Sequence, residues 1–330
     1  MSITKDIDLC GIGNGLLDIQ YIVSDDLISK LNINKGEMRL VDSILQKEII
    51  GNMAIPEENR ASGGSAANTI IAFSQFGGNA AYNSKLGDDD YGKFYVKEFE
   101  DLGIVLHYSN SKIEPTGTCL ILISPDSERT MLTNLGASAS FGADDLSEEL
   151  IKRAKWLYIE GYKFSQKSST EAVFKAIETA IKNETKISLT FSDAFITENF
   201  REPLAECVKH SDLIFCNEAE ALNFTRTNNF NDAVKILSDK VKNFAVTRGS
   251  NGAVVKWKDK IFKIPAYPAN PVDSTGAGDI FAAGFFYGII KYNDPELAGK
   301  FGSLAGARIV SQIGPRLKEK HSKIIDFFFG

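Results

Sequence analysis

The segment Asp273-Ser274-Thr275-Gly276-Ala277-Gly278-Asp279 is followed by an apolar run of helical length that begins Ile280-Phe281-Ala282-Ala283 and continues to Ile290. Two glycines spaced by one residue let a backbone turn tightly and expose successive N–H groups. At a helix N-terminus those groups have no intrahelical acceptor, and the helix dipole adds to their pull on an anion. Gly276, Ala277 and Gly278 therefore form a candidate anion hole with the Asp279 carboxylate beside it. A carboxylate adds nothing to the holding of a phosphate. It makes chemical sense as the base that takes a proton from a hydroxyl attacking one. A capped, buried helix with an Asp near its start has the same spacing, so the pattern leaves both readings open.

A second glycine-led segment, Ser62-Gly63-Gly64-Ser65-Ala66-Ala67-Asn68-Thr69-Ile70, also runs into an apolar helix through Ile71, Ala72 and Phe73. Paired glycines let a ligand approach the backbone closely. Asn68 falls in the first turns and offers both a donor and an acceptor, which suits a diol. Tight helix–sheet packing through small residues would look the same. Two other glycine-rich stretches fail as nucleotide motifs. Gly11-Ile12-Gly13-Asn14-Gly15 lacks the third glycine of a dinucleotide fingerprint, and no clear helix follows. Gly87 to Lys93 has nearly the spacing of a phosphate-binding loop, but Phe94 stands where a Ser or Thr should hold Mg²⁺. The aspartates 88–90 would also repel phosphates.

These segments need elements to hold them. Short apolar runs at 7–12, 156–159, 187–191, 213–216 and 244–247 predict buried parallel strands. Helical patterns separate most of them; in 168–181 the apolar residues are Val173, Ala176, Ile177, Ala180 and Ile181. Alternating strands and helices imply a parallel sheet covered on both faces. Two stretches break the rhythm. Residues 19–50 hold strand-like pieces with polar interruptions, and 104–133 reads as strand, turn at 124–127, and strand. They predict either surface hairpins or a small β lid over a cleft, inserted at about 17–50 and 104–133 in one domain spanning 1–330.

Together and in this order, the two glycine-led segments resemble the two signatures of the ribokinase-like (PfkB) family of carbohydrate and nucleoside kinases. The first runs Gly63-Gly64-Ser65-Ala66-Ala67-Asn68, then Phe76-Gly77-Gly78, then Lys85 to Gly92; the second is Asp273 to Phe281. The resemblance extends to Asn14 and Asp18, to Asn217-Glu218-Ala219-Glu220 and to Thr247-Arg248-Gly249, nearly the whole chain. It implies a doubly wound, mainly parallel α/β sheet with a small β-sheet lid, and ATP with Mg²⁺. By matching position it implies that Asp279 is the general base and that Gly276, Ala277 and Gly278 bind the transferring phosphoryl. Asn217 and Glu220 would organise Mg²⁺ through water, and Thr247 and Gly249 would line the ATP site. Asn14, Asp18, Gly64, Ser65 and Asn68 would bind the acceptor. The stretches 14–19, 129–137 and 217–220 look most like the adenosine kinase branch, in which Arg129 matches a lid arginine able to reach phosphate; an exposed strand charge is the other reading. The expected acceptor is the primary hydroxyl of a nucleoside, adenosine first. A ketose or ribose kinase is the alternative, and a non-catalytic nucleotide or sugar sensor a third reading.

Composition fits this and excludes much else. The 330 residues are 43% hydrophobic and 24% charged, ordinary values for a globular chain. Lys and Arg number 37 against 43 Asp and Glu, a formal charge of −6, which disfavours nucleic acid as a partner. No apolar run reaches a membrane span, and 1–8 carry no leader-like apolar stretch. Cys10, Cys119, Cys207 and Cys216 form no C-x-x-C pair, so a reduced, cytoplasmic protein is expected. Three scattered histidines do not suggest a metal site. The oligomeric state is open, although an exposed lid strand could pair with a second subunit.

Overall fold

The computed structural model describes residues 4–330 except 32, 37, 54, 55, 58, 127 and 319. Its strands in chain order are β1 (Ile7–Ile12), β2 (Leu16–Ile22), β3 (Met38–Leu40), β4 (Asn59–Gly63), β5 (Ala80–Gly87), β6 (Val105–Ser111), β7 (Thr116–Ile123), β8 (Arg129–Gly136), β9 (Ala154–Glu160), β10 (Lys186–Thr190), β11 (Leu213–Asn217), β12 (Phe244–Thr247), β13 (Ala253–Trp257) and β14 (Lys260–Ile264). The five predicted buried strands are present as β1, β9, β10, β11 and β12, and the helix predicted over 168–181 spans Lys167–Lys182.

Nine strands form one sheet in the order β14-β13-β12-β11-β10-β9-β1-β5-β6. Pairing is parallel from β12 through to β6, and β13 pairs antiparallel with both β12 and β14, so β13 alone runs against the others. The apolar residues of these strands point to two cores. Leu9, Tyr82 and Tyr158 face the helices Ser65–Gln75 and Ala277–Tyr292, while Cys10, Leu157 and Leu189 face the helix Lys167–Lys182. From β1 the chain builds outward in both directions, to β5 and β6 on one side and to β9 and beyond on the other. That makes β1 a switch point, and ligands of open α/β sheets bind beyond the strand C-terminal ends at such a point.

The second sheet has the order β3-β8-β7-β2-β4. Period-two alternation gives it two different faces. Leu17, Ile19 and Tyr21 of β2 and Leu120 and Leu122 of β7 bury outward with Ile28, Ile49 and Met53 of two covering helices. Leu16 and Asp18 of β2 and Cys119 and Ile121 of β7 line the opposite side.

Three features depart from the reading of the insertions. Val105–Ser111, counted with the 104–133 stretch, pairs in parallel with β5 and forms the edge of the large sheet. Its alternating exposure is that of an edge strand, and the intervening helix Asp90–Asp101 is the crossover that parallel pairing requires. Residues 19–50 contain two helices as well as strand. Ser24 Oγ accepts Leu27 N at 3.3 Å and Asp42 Oδ1 accepts Leu45 N at 2.8 Å, so helix-capping residues stand at what read as polar interruptions. β4 lies outside both predicted insertions and pairs antiparallel with β2. Part of the predicted 124–127 turn, residue 127, lies outside the described residues.

Candidate active site

Between the two sheets lies a cleft of about 310 Å³. The two glycine-led segments meet there. Gly64, before the helix Ser65–Gln75, has φ +101°, and a Cβ on it would stand 2.2 Å from the Asn14 carbonyl oxygen. Gly276, before the helix Ala277–Tyr292, has φ +70°. Glycine takes both conformations without strain, and both helix N-termini line the cleft.

Asp279 joins the two helices. Its Oδ1 accepts Ser65 Oγ at 2.7 Å and its Oδ2 accepts Asn68 Nδ2 at 3.2 Å. Its backbone carbonyl accepts Thr69 Oγ1 at 3.2 Å. Protein crowds one side of the carboxylate, while the cleft leaves the other open. Burial pushes its pKa up to about 6, against the Ser65 and Asn68 hydrogen bonds and the Arg129 and Arg316 charges. A base poised near neutrality suits proton transfer at physiological pH. Beside it, the N–H groups of Gly276, Gly278 and Asp279 have no acceptor among the described residues, whereas Ala277 N–H is directed to the Ser274 carbonyl at 3.2 Å. Of the three residues expected in the anion hole, Ala277 thus has its N–H already engaged.

Asp18 projects from β2 on the cleft-facing side of the small sheet. It is buried, and its carboxylate accepts no hydrogen bond among the described residues. Burial pushes its pKa up to about 7, opposed by Arg316 and reinforced by Asp279. Asn14 follows β1 and is held from both ends. Its Nδ2 donates to Glu160 Oε1 at 2.8 Å, and its Oδ1 accepts Lys163 Nζ at 3.0 Å.

At the far end of the cleft, Asn217 and Glu220 cap the helix Glu218–Thr225 reciprocally. Asn217 Oδ1 accepts Glu220 N at 2.9 Å, and Glu220 accepts Asn217 N at 3.0 Å and Nδ2 at 2.6 Å. Thr247 lines the cleft; Gly249 does not, standing exposed beyond it with φ +54°. No group of three His, Cys, Asp or Glu side chains that could hold a metal converges among the described residues. Both Glu220 oxygens already accept hydrogen bonds, so this pair suits a metal that keeps its waters and takes its inner ligands from phosphate.

Arg129 reaches from β8 of the small sheet to the loop before the helix Ala277–Tyr292. Its Nε lies 3.0 Å from Asp273 Oδ1, off hydrogen-bond alignment, and its Nη2 donates to Ser274 Oγ at 3.4 Å. An exposed strand charge would be solvated; this one is largely buried and ties the small sheet to the Asp273–Ser274 loop.

The sequence profile described as "pfkB family carbohydrate kinase" matches residues 38–321. The chain belongs to that family. As a pfkB kinase it is similar to adenosine kinase of Saccharomyces cerevisiae, at 30% identity over 92% of this chain and 95% of that protein. It superposes on the crystal structure of adenosine kinase from Sinorhizobium meliloti with a TM-score of 0.91 and 30% identity, covering 98% of this chain and 99% of the other. A probable sugar kinase from Rhizobium etli superposes at 0.93 with 30% identity over the same shares.

Sequence reasoning about this pfkB kinase missed Glu160, Lys163 and Arg316. Glu160 ends β9, lines the cleft and accepts Ala66 N at 2.9 Å as well as Asn14. Burial raises its pKa against the pull of two N–H donors and the Lys163 charge, while burial lowers that of Lys163. Lys163 also sits over the Phe141 ring, 4.5 Å from its centroid. A Glu closing the apolar run 156–159 was the one signal in the sequence; for Arg316 there was none.

Proposed function

We propose that this kinase transfers the γ-phosphoryl of ATP to a primary hydroxyl of a nucleoside, with adenosine the preferred acceptor. The observation that carries the reading is the placing of Asp279, with hydroxyl-binding side chains on one side and unpaired helix N–H groups on the other. Asp18 and Asn68 hold neighbouring acceptor hydroxyls, with Gly64 allowing close approach and Asn14 and Ser65 alongside. Asp279 takes the proton of the attacking hydroxyl as its oxygen bonds to phosphorus and the bond to ADP breaks. The Gly276 and Gly278 N–H groups meet charge developing on the phosphoryl oxygens without reorganising. Arg129 is in reach of the same charge once it leaves Asp273. Thr247 lines the ATP side and Gly249 stands at its rim. Magnesium would come with the triphosphate, neutralising phosphate charge, with Glu220 and Asn217 holding its water. The small sheet acts as the lid.

The cleft wall favours a nucleoside acceptor. Leu16, Met38, Leu40, Cys119, Ile121 and Met131 present an apolar surface next to Asp18. A flat heteroaromatic base uses such a surface, and a bare sugar does not. A sugar acceptor has one observation in its favour, Glu160 at the cleft floor, which would suit a further hydroxyl. Measuring ADP release over a panel of nucleosides and sugars tests the reading. Adenosine is expected to give a higher kcat/KM than fructose or ribose, and turnover of fructose or ribose without adenosine would sink the nucleoside reading while leaving the family standing.

The pH profile is a further expected result. Asp279 and Asp18 must both be ionised, one to accept a proton and the other to hold hydroxyls. With their pKa values raised to about 6 and about 7, kcat/KM for the acceptor should fall as pH drops through 7 and then 6, the slope steepening beyond one proton. Carboxylates of ordinary pKa would leave the profile flat down to about pH 5, and such a profile would remove both from these roles.

A further inference from the structure

Arg316 belongs to no signature segment and does not itself line the cleft, yet it hydrogen-bonds to Asn68, which does. It follows the helix Pro295–Val310 in a loop with two anchors. Gly314 N donates to Asp273 Oδ2 at 2.9 Å, and the Gln312 side chain closes the loop by donating to Arg316 O and accepting Lys318 N. From it the guanidinium reaches three residues outside the loop, and Nη1 also donates to the Pro315 carbonyl at 3.4 Å. Nη1 donates to Asn68 Oδ1 at 2.8 Å, Nη2 to the Ser62 carbonyl, and Nε to Glu98 Oε1 at 3.4 Å. Glu98 Oε2 in turn accepts Ser62 N at 2.8 Å, so Arg316 and Glu98 clasp both sides of the residue before the paired glycines.

An asparagine amide can face either way, and a carboxylate partner tolerates only its NH₂ end. A guanidinium has donors and no acceptor. Whichever end of Asn68 faces Arg316 must be the oxygen, which leaves the NH₂ for Asp279 Oδ2. We infer that Arg316 is a positioning residue: by occupying the Asn68 oxygen it locks the Asn68 NH₂ onto Asp279 and so fixes the aim of the proton acceptor. The inference rests on Asp279 being that acceptor and is independent of which alcohol is phosphorylated. Without Arg316, Asn68 could turn its oxygen to accept from the protonated Asp279 carboxyl, which would favour the protonated form and leave the aim of Asp279 less fixed. The other charged or titratable groups around Asp279 are Asp18 on β2, Arg129 on β8, Tyr82 on β5, Tyr158 and Glu160 on β9, Tyr162 just after it, and Glu220 across the cleft. None of them hydrogen-bonds to Asn68 among the described residues.

The test compares Arg316→Met and Arg316→Lys with the wild type. The acidic limb of kcat is measured with whichever acceptor the wild type uses. The Asp279 carboxyl is followed separately by ¹³C NMR titration, its signal assigned by loss in Asp279→Asn. In Arg316→Met, kcat is expected to fall about tenfold or more, with KM for ATP within about twofold. The acidic limb and the Asp279 midpoint should both move to higher pH. Arg316→Lys keeps the charge but lacks the planar fork that serves Asn68 and Ser62 from separate nitrogens, so its kcat should lie between the other two; it also decides the matter if the Met variant does not fold. Wild-type kinetics in Arg316→Lys would overturn the inference, because charge alone would then suffice. So would a lowered Tm with an unmoved Asp279 midpoint in folded Arg316→Met. If the wild type phosphorylates no alcohol at all, the kinase reading fails on that result, and the NMR midpoint alone decides whether Arg316 sets the carboxyl.

Discussion

Replacing Asp279 by Asn should lower kcat by roughly 10²-fold or more while ATP affinity stays unchanged or tightens slightly. The substitution keeps the shape of the site. The amide oxygen it introduces can still accept Asn68 Nδ2, and the new NH₂ can donate to Ser65 Oγ, the two partners that the carboxylate has now. What is lost is the negative charge and, with it, the ability to take a proton. The sign for ATP follows from charge: Asp279 is an anion beside N–H groups that would receive phosphate, and neutralising it removes a repulsion. Stability should be kept, because burial already raises the pKa of this carboxyl to about 6 and a neutral amide avoids that cost. A helix-capping Asp predicts the opposite pattern, since Asn caps nearly as well and turnover would survive with stability. Steady-state kinetics with a melting curve on the same preparation separate the two. Near-wild-type kcat in a folded variant would remove Asp279 from the mechanism.

The segments that were legible in the sequence are those whose role is local. A strand buried on both faces is a continuous apolar run wherever it lies, so β1 and β9 to β12 could be read without partners. A helix N-terminus that binds an anion is announced by its own glycines. The parts that were not legible depend on distance along the chain. Val105–Ser111 looks like a hairpin strand because its exposure alternates, and only its pairing with β5 shows that it edges the large sheet. Glu160 acts on Asn14 from 146 residues away, and Arg316 on Asn68 from 248. No spacing rule reaches that far. The Ala277 N–H looked free with its neighbours until the turn at Ser274 was seen to use it.

Asp18→Ala should have opposite effects on activity and stability, and that opposition marks a carboxylate kept for its ligand. In the cleft Asp18 is buried and accepts no hydrogen bond among the described residues. Two acceptor hydroxyls would each give it a charge-assisted hydrogen bond of about 1.5–3 kcal/mol, so removing it should lower kcat/KM for the acceptor by about 10²–10⁴-fold. KM for ATP should hardly move, because Asp18 lies on the acceptor side. For stability the sign runs the other way. The folded-state pKa, about 7, lies above the unfolded value near 3.9, so the folded protein binds more protons in between. The wild type is therefore under no penalty from this group below about pH 4, and the whole penalty is present above about pH 7. Asp18→Ala should match or exceed the wild-type Tm at pH 8, with the advantage shrinking towards pH 4. A variant less stable at pH 8 with an unchanged acceptor KM would make Asp18 a structural residue. A deoxy acceptor lacking one of the two hydroxyls should lose at least tenfold on the wild type, one hydrogen bond of that strength, and little more on the variant. Such coupling between a missing hydroxyl and a missing carboxylate would tie Asp18 to the diol itself.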